Sequence, residues 1–211
     1  MPPSLDLALI GNCTVSALVD PMASIVWCCL PRFDGEPVFN RLLQGPDAPS
    51  DQGVMAVILD KFVSSQQAYD PNTAVLRTLL TSADGHVVEV TDFAPRYRQN
   101  DRIFRPAQLV RRIAPIAGSP RIRLLVRPMF DWGRTLAPVA RGSNHLRFEH
   151  PALPLRLTTD APLTYVAEST WFTLEQPVHL LFGPDETLAG GIANTARDML
   201  EQTLDHWRHW S

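Results

Sequence analysis

The chain has 211 residues, 45% of them hydrophobic and 19% charged, enough for one globular domain with a sizeable core. The 19 basic residues against 22 acidic leave a net charge of −3 without any block of like charges, so a nucleic-acid or anionic-membrane partner has no electrostatic support. No stretch approaches the roughly 18 apolar residues of a membrane span, and the opening MPPSLDLALI lacks the basic region of a secretory leader, so a cytoplasmic location is expected.

Proline is unusually frequent, 19 residues against 11 glycines, which disfavours long helices and favours short strands joined by rigid turns. In chain order, Thr14 to Asp20 and Ile25 to Leu30 are apolar, β-branched runs either side of Pro21-Met22-Ala23-Ser24, a strand, tight turn and strand. After the Pro31 to Gly35 loop, Pro37 with Val38, Phe39, Leu42 and Leu43 at spacings of three to four predicts a short helix near 37–44, stopped by Gly45-Pro46. Val54 to Val63, Ala74 to Thr81 and His86 to Phe93 are further predicted strands, the last two joined across Asp84-Gly85, a hairpin turn that needs positive φ. Gln108 to Ile113 and Arg121 to Arg127 continue the series; in the second, Ile122, Leu124 and Val126 alternate with arginines, the period-two pattern of a sheet with one wet face.

Short apolar segments follow at Leu136 to Val139, His145 to Glu149, Leu153 to Thr158, Leu163 to Ala167, Thr170 to Leu174 and Val178 to Phe182, separated by prolines that include Pro151. These elements predict a mainly β fold, a large antiparallel two-sheet sandwich over residues 1–190. From Ile192 to Trp210 the chain holds neither proline nor glycine, and Ala196, Met199, Leu200, Thr203, Leu204, Trp207 and Trp210 recur on one face of an amphipathic helix. Residues 191–211 are therefore set apart as a C-terminal helix, which either docks back on the sheet or enters another body.

Cys13, Cys28 and Cys29 cannot form a disulfide framework or a metal knuckle, and are expected to be buried free thiols. His206 and His209 have ligand-like spacing but lack a third ligand, so neither a metal nor a cofactor is expected. No nucleotide-binding, nucleophile-elbow or metalloprotease pattern occurs. Two polar-aromatic strings stand out, Trp27 to Gly35 with Pro31, Arg32, Phe33 and Asp34, and Arg127 to Arg134 with Asp131, Trp132 and Arg134. Asp34 and Asp131 could form the carboxylate pair that glycoside hydrolysis requires. Alternatively, each acid caps its own loop or pairs with the arginine beside it, a reading favoured because an adjacent guanidinium keeps a carboxylate ionised.

At these residues the sequence resembles the amino-terminal region of bacterial glycoside hydrolase family 15 proteins, the glucoamylase-like and trehalase-like enzymes. The similarity runs through Leu9-Ile10-Gly11-Asn12-Cys13, Ser24-Ile25-Val26-Trp27, Pro31-Arg32-Phe33-Asp34, Tyr69-Asp70-Pro71-Asn72, Thr91-Asp92-Phe93-Ala94-Pro95, Leu109-Val110-Arg111-Arg112, Phe130-Asp131-Trp132-Gly133-Arg134 and Trp207-Arg208-His209-Trp210. The resemblance implies a β-supersandwich that precedes a catalytic (α/α)6 barrel, with the family's acid and base glutamates in the barrel and none in this sequence. It also implies that the helix at 191–211 begins the connection to that barrel. Three positions depart from the family pattern: Ala23 replaces a glycine, Val26 an aspartate and Gly35 a serine.

The expected function is thus that of a non-catalytic domain supporting an inverting glycosidase barrel, in cis or as a separate chain. Trp27 and Pro31 to Asp34 would face the barrel or a sugar, Asp131, Trp132 and Arg134 would form a second loop, and Leu200, Leu204, Trp207 and Trp210 an interface helix. The alternatives are a stand-alone module that binds an α-glucoside on exposed aromatics, and a domain that forms a homodimer through the Trp207 and Trp210 face.

Overall fold

A computed structural model describes residues 5–45, 49–150 and 153–210. Pro46 and Pro151, expected above as a helix stop and a strand break, lie outside the described residues, as does Ser211.

The first hairpins are β1 (Ala8–Gly11), β2 (Ser16–Val19) and β3 (Ile25–Cys29), antiparallel in succession, with β4 (Pro37–Asn40) returning on β3. The turn between β2 and β3 is fixed by Asp20, whose Oδ1 accepts the N–H groups of Met22 at 2.9 Å and Ser24 at 2.7 Å. Ala23 sits in this turn at φ 61°, so the position does demand the left-handed conformation that glycine adopts freely. Alanine carries a cost of about 1 kcal/mol there, offset in part by complete burial of its methyl group.

The helix expected near 37–44 reduces to a single 3-10 turn over Arg41–Leu43. Residues 37–40 are buried on both faces as a strand, an environment that suits Val38 and Phe39 and that consecutive apolar residues cannot distinguish from one helical face. The long strand expected from Val54 to Val63 is two: β5 (Val54–Leu59) and β6 (Phe62–Tyr69), broken where Lys61 turns at φ 52°. The break sends the two strands into different sheets.

Next come β7 (Leu76–Ser82) and β8 (Val87–Phe93), joined at Gly85 with φ 80° as the Asp-Gly pair required, then a small hairpin of β9 (Tyr97–Gln99) and β10 (Arg102–Phe104). β11 (Leu109–Ala117) and β12 (Arg121–Arg127) follow, and in β12 Ile122, Leu124 and Val126 are all fully buried while the arginines point outward. β13 (Met129–Phe130) and β14 (Thr135–Leu136) pair only with each other; the segment expected at Leu136 to Val139 is divided between β14 and β15 (Val139–Arg141). β16 (His145–Phe148) and β17 (Leu155–Thr159) are strands as expected, whereas Leu163 to Ala167 is not. That segment forms α1 (Leu163–Glu168), opened by Pro162 and ended by Ser169 at φ 53°, with Val166 buried. At about 3.6 residues per turn Leu163 and Val166, three apart, fall on the same side, and a run of only six residues leaves the period undecided. β18 (Phe172–Thr173), β19 (Val178–Pro184) and α2 (Ile192–Trp210) complete the chain.

The strands form two antiparallel sheets, ordered β1-β2-β3-β5-β12-β18 with β4 also on β3, and β15-β16-β17-β19-β11-β8-β7-β6. One core fills the space between them, drawing Ile25, Phe39, Val57 and Leu124 from the first sheet and Leu80, Val90, Leu157 and Phe182 from the second. Arg111, fully buried in this layer, donates from Nε and Nη2 to both oxygens of Asp92 at 2.6 and 3.0 Å and from Nη1 to the Met55 carbonyl at 3.0 Å, so one guanidinium ties the sheets together. Burial pushes the Asp92 carboxyl up, against the pull of Arg111.

α2 docks back on the outer face of the second sheet, where Met199, Leu200 and Leu204 pack against Val75, Phe93, Val110 and Leu181. Arg96 anchors its second half. The Arg96 backbone N–H donates to Thr203 Oγ1 at 3.2 Å, its Nε to His206 Nε2 at 2.9 Å and its Nη1 to the Asn12 carbonyl at 2.7 Å, and its guanidinium lies 5.4 Å from the Trp207 ring centre. Asn12 is itself fully satisfied: its amide donates to the carbonyls of Pro95 and Pro106, and its Oδ1 accepts the N–H groups of Thr14 and Val15.

Candidate functional site

β3 ends at Cys29 and delivers the chain through buried Leu30 into the exposed loop of Pro31 to Glu36. The Gly35 N–H closes the loop on the Arg32 carbonyl at 3.0 Å. Within it, Arg32 donates from Nε and Nη2 to the two oxygens of Asp34, each at 2.9 Å, a bidentate pair in open solvent. Phe33 projects beside it, 62% exposed. A Cβ on Gly35 would lie 3.1 Å from the Arg32 carbonyl and 3.2 Å from that of Leu30, so the departure from serine suits this tight loop.

The second string forms the connection between β13 and β14. Asp131, Trp132 and Gly133 take positive φ in succession, at 52°, 55° and 86°, which throws the Trp132 ring outward, 58% exposed. Arg134 approaches Asp131 at 3.8 Å, both well exposed. The structure brings these two loops together through a residue the sequence did not mark: Glu36 Oε1 accepts the Trp132 N–H at 2.7 Å.

Trp27 does not belong to this loop surface. It is half-buried within β3, paired with Leu18 and Asn40. Val26, where the resemblance expects an aspartate, joins Val54, Ala56, Ile58 and Leu125 in lining a cleft of about 390 Å³ on the outer face of the first sheet, and an apolar side chain suits that lining. Cys28 and Cys29 are buried and burial pushes both thiols up, which makes them inert; Cys13, expected to be buried as well, is exposed in the turn after β1.

In α2, Leu200 and Leu204 are spent on the sheet, and Trp207 is half-buried under Arg96. Trp210, 74% exposed, meets the Trp207 ring edge-on at 5.8 Å. Trp207 Nε1 is buried without a hydrogen-bond acceptor among the described residues, a lost bond worth about 1–3 kcal/mol. His206 accepts from Arg96, and His209 Nδ1 lies 2.6 Å from the Asp205 carbonyl. Among the described residues no three His, Cys, Asp or Glu side chains converge as a metal site.

Chemically, the two loops present aromatic rings flanked by carboxylates already engaged by their own arginines. Such a surface can stack on a ring or dock on a protein. The turn between β1 and β2 leaves the same end of the sheet as the Pro31 to Glu36 loop, since β1, β2 and β3 alternate in direction. Arg96 fastens the last turns of α2 to that turn through Asn12. Phe33, Trp132 and the Trp207–Trp210 end of the helix are thus gathered toward one end of the sandwich.

Residues 2–169 match the family model described as "Trehalase-like, N-terminal". The chain is 30% identical over 205 residues to trehalase 1 of Sulfolobus acidocaldarius, and 23% and 22% identical to trehalases of Mycolicibacterium smegmatis and Thermoplasma volcanium. The alignments cover 96, 99 and 96% of this chain and 33, 34 and 33% of those proteins, so the chain spans about a third of the length of the relatives it matches.

Proposed function

The chain belongs to the trehalase-like N-terminal family, and from that premise we propose that it is the non-catalytic sandwich domain of a family 15 glycoside hydrolase, acting in carbohydrate metabolism in the cytoplasm. Its work is to support and orient a catalytic (α/α)6 barrel, supplied in cis or as a separate chain. Residues 1–190 form the supporting body, and 191–211 the helix that leads toward the barrel.

The observation that carries this reading is the end of the sandwich where Phe33 and Trp132 stand exposed on loops tied by Glu36, with Trp210 exposed on the anchored helix. Exposed aromatics of this kind are anchors for a protein partner. Asp34 and Asp131, each beside its own arginine, have a structural role here and not that of an acid and base pair. The purified chain is expected to leave trehalose, maltose and starch unhydrolysed, and to bind a separately expressed family 15 barrel with an affinity reduced by Phe33→Ala and Trp132→Ala. Turnover by the pure chain that Asp34→Asn abolishes would overturn the proposal. The same two rings favour one second reading, an α-glucoside platform; calorimetric heat on titration with maltooligosaccharides, lost in Trp132→Ala, would select it.

A further inference from the structure

A β-sandwich leaves the outermost strand of each sheet with backbone N–H and C=O groups that another strand can pair, and stable monomers shield such edges. Among the described residues the sheet edges are shielded with one exception. β1 has four residues, and the Tyr69 hydroxyl already occupies its edge, accepting from the Leu9 N–H and donating to the Leu9 carbonyl, both at 2.8 Å. β4 begins with Pro37, which has no N–H to offer. β18 has two residues, and β15 three, ending in Arg141. β6 closes the second sheet with eight residues, Phe-Val-Ser-Ser-Gln-Gln-Ala-Tyr, without a charge, proline or glycine. β7 lies along one side of it; on the other, no backbone partner occurs among the described residues. Phe62, Val63 and Tyr69 are exposed along it.

We propose that β6 is a self-docking edge that pairs antiparallel with β6 of a second copy of this chain about a two-fold axis, joining the two eight-stranded sheets into one. A two-fold contact needs a strand complementary to itself. β6 meets that condition because it is uncharged throughout, so two copies approach without repulsion. Its flanking charges are each paired within the chain, Lys61 with Asp84 at 2.7 Å and Asp70 with Arg77 at 2.6 Å, so neither end of the strand repels a second copy. The irregularity between Phe62 and Ser64 leaves Ser64 to Tyr69 in regular register. In the proposed register the axis falls beside Gln66, in the middle of that run, and places the two Gln66 side chains opposite one another; Gln66 is exposed, whereas Gln67 is turned inward onto the Asp20 carbonyl and the Thr78 hydroxyl. Directly opposed side chains on an antiparallel pair share a face and sense each other's charge. This edge is separate from the Phe33 and Trp132 loops, so the dimer and the barrel-supporting role stand or fall independently.

The test is sedimentation velocity of the purified chain across a concentration series. The wild type should dimerise, and Gln66→Lys and Gln66→Glu should each weaken the dimer by about fivefold or more through like charges at the axis. An equimolar mixture of the two variants should recover association at least as strong as that of the wild type. Unchanged melting curves confirm that either substitution leaves the exposed position folded. A wild type that stays monomeric at the highest concentration overturns the proposal, as does a dimer that neither variant weakens. Loss of dimer in Trp210→Ala with Gln66→Lys unaffected would move the contact to the end of α2 and also overturn it.

Discussion

Two Arg–Asp pairs in this protein have nearly the same geometry and opposite surroundings. Arg111 grips Asp92 with two bonds of 2.6 and 3.0 Å, and Arg32 grips Asp34 with two of 2.9 Å. The first pair is 1% exposed on both sides and holds a carbonyl of the opposite sheet; the second is 69 and 54% exposed on a loop tip. Bond lengths alone would rank them together. What separates them is the alternative each group has when its partner is removed, which for Asp34 is water and for Asp92 is a dry core.

The largest expected effect follows from that difference. Arg111→Ala leaves the Asp92 carboxylate buried and unpaired and frees the Met55 carbonyl, so urea unfolding should show a loss of about 3–5 kcal/mol. Replacing both partners with apolar residues, Arg111→Met with Asp92→Leu, should recover most of that loss, because the penalty comes from the stranded charge. A double variant as unstable as the single one would show that the guanidinium's bond to the first sheet carries the stability instead.

An intermediate case lies at α2, where Arg96 works at a half-buried seam. Arg96→Ala removes donors to His206 and Asn12 and should cost about 1–3 kcal/mol, with faster amide exchange confined to the last turns of α2. The same seam predicts a pH dependence. To accept from Arg96, His206 Nε2 must be unprotonated, and burial, then Arg96 and Arg98, hold its pKa below the ordinary 6.5. Burial, then Arg156, holds His145 below 6.5 as well. The unfolded chain therefore takes up protons near pH 6.5 before the folded chain does, so stability is full above that pH and declines as the pH falls through the window beneath it. Asp20, which burial raises above 3.8, works in the opposite sense and only nearer the carboxylate range. Melting temperature measured from about pH 7.5 to 5 should fall, and His206→Gln, which keeps an acceptor without the titration, should flatten the slope. An unchanged slope would assign the effect to His145.

How far these features are legible in the sequence follows the range of the interactions. β12 and the hairpin at Gly85 are written in local alternation and turn chemistry, and α2 in nineteen residues without a breaker. Residues 37–40 and 163–168 are short apolar runs that fit either period, and their surroundings decide them. The β9–β10 hairpin is short and, apart from Tyr97, exposed, so burial leaves no pattern in it; its one signal is Asn100-Asp101, both at positive φ. The Pro31 to Asp34 and Asp131 to Arg134 loops stand out by composition, but Glu36 and Arg96 act on partners 96 and 110 residues away, and no spacing rule reaches that far.

The smallest expected effect completes the comparison of the two ion pairs. Asp34→Asn keeps an oxygen for Arg32 but removes the charge from a site where both side chains are mostly in water, so unfolding free energy should change by no more than about 0.5 kcal/mol and vary little with salt. The informative readout is the neighbouring loop. Glu36, not Asp34, holds the Trp132 N–H, so Trp132 fluorescence should be unmoved by Asp34→Asn and shifted by Glu36→Gln. A loss above about 1 kcal/mol in Asp34→Asn would mean that the Arg32 pair orders the loop as firmly as Arg111 orders the core, and that exposure does not divide the two.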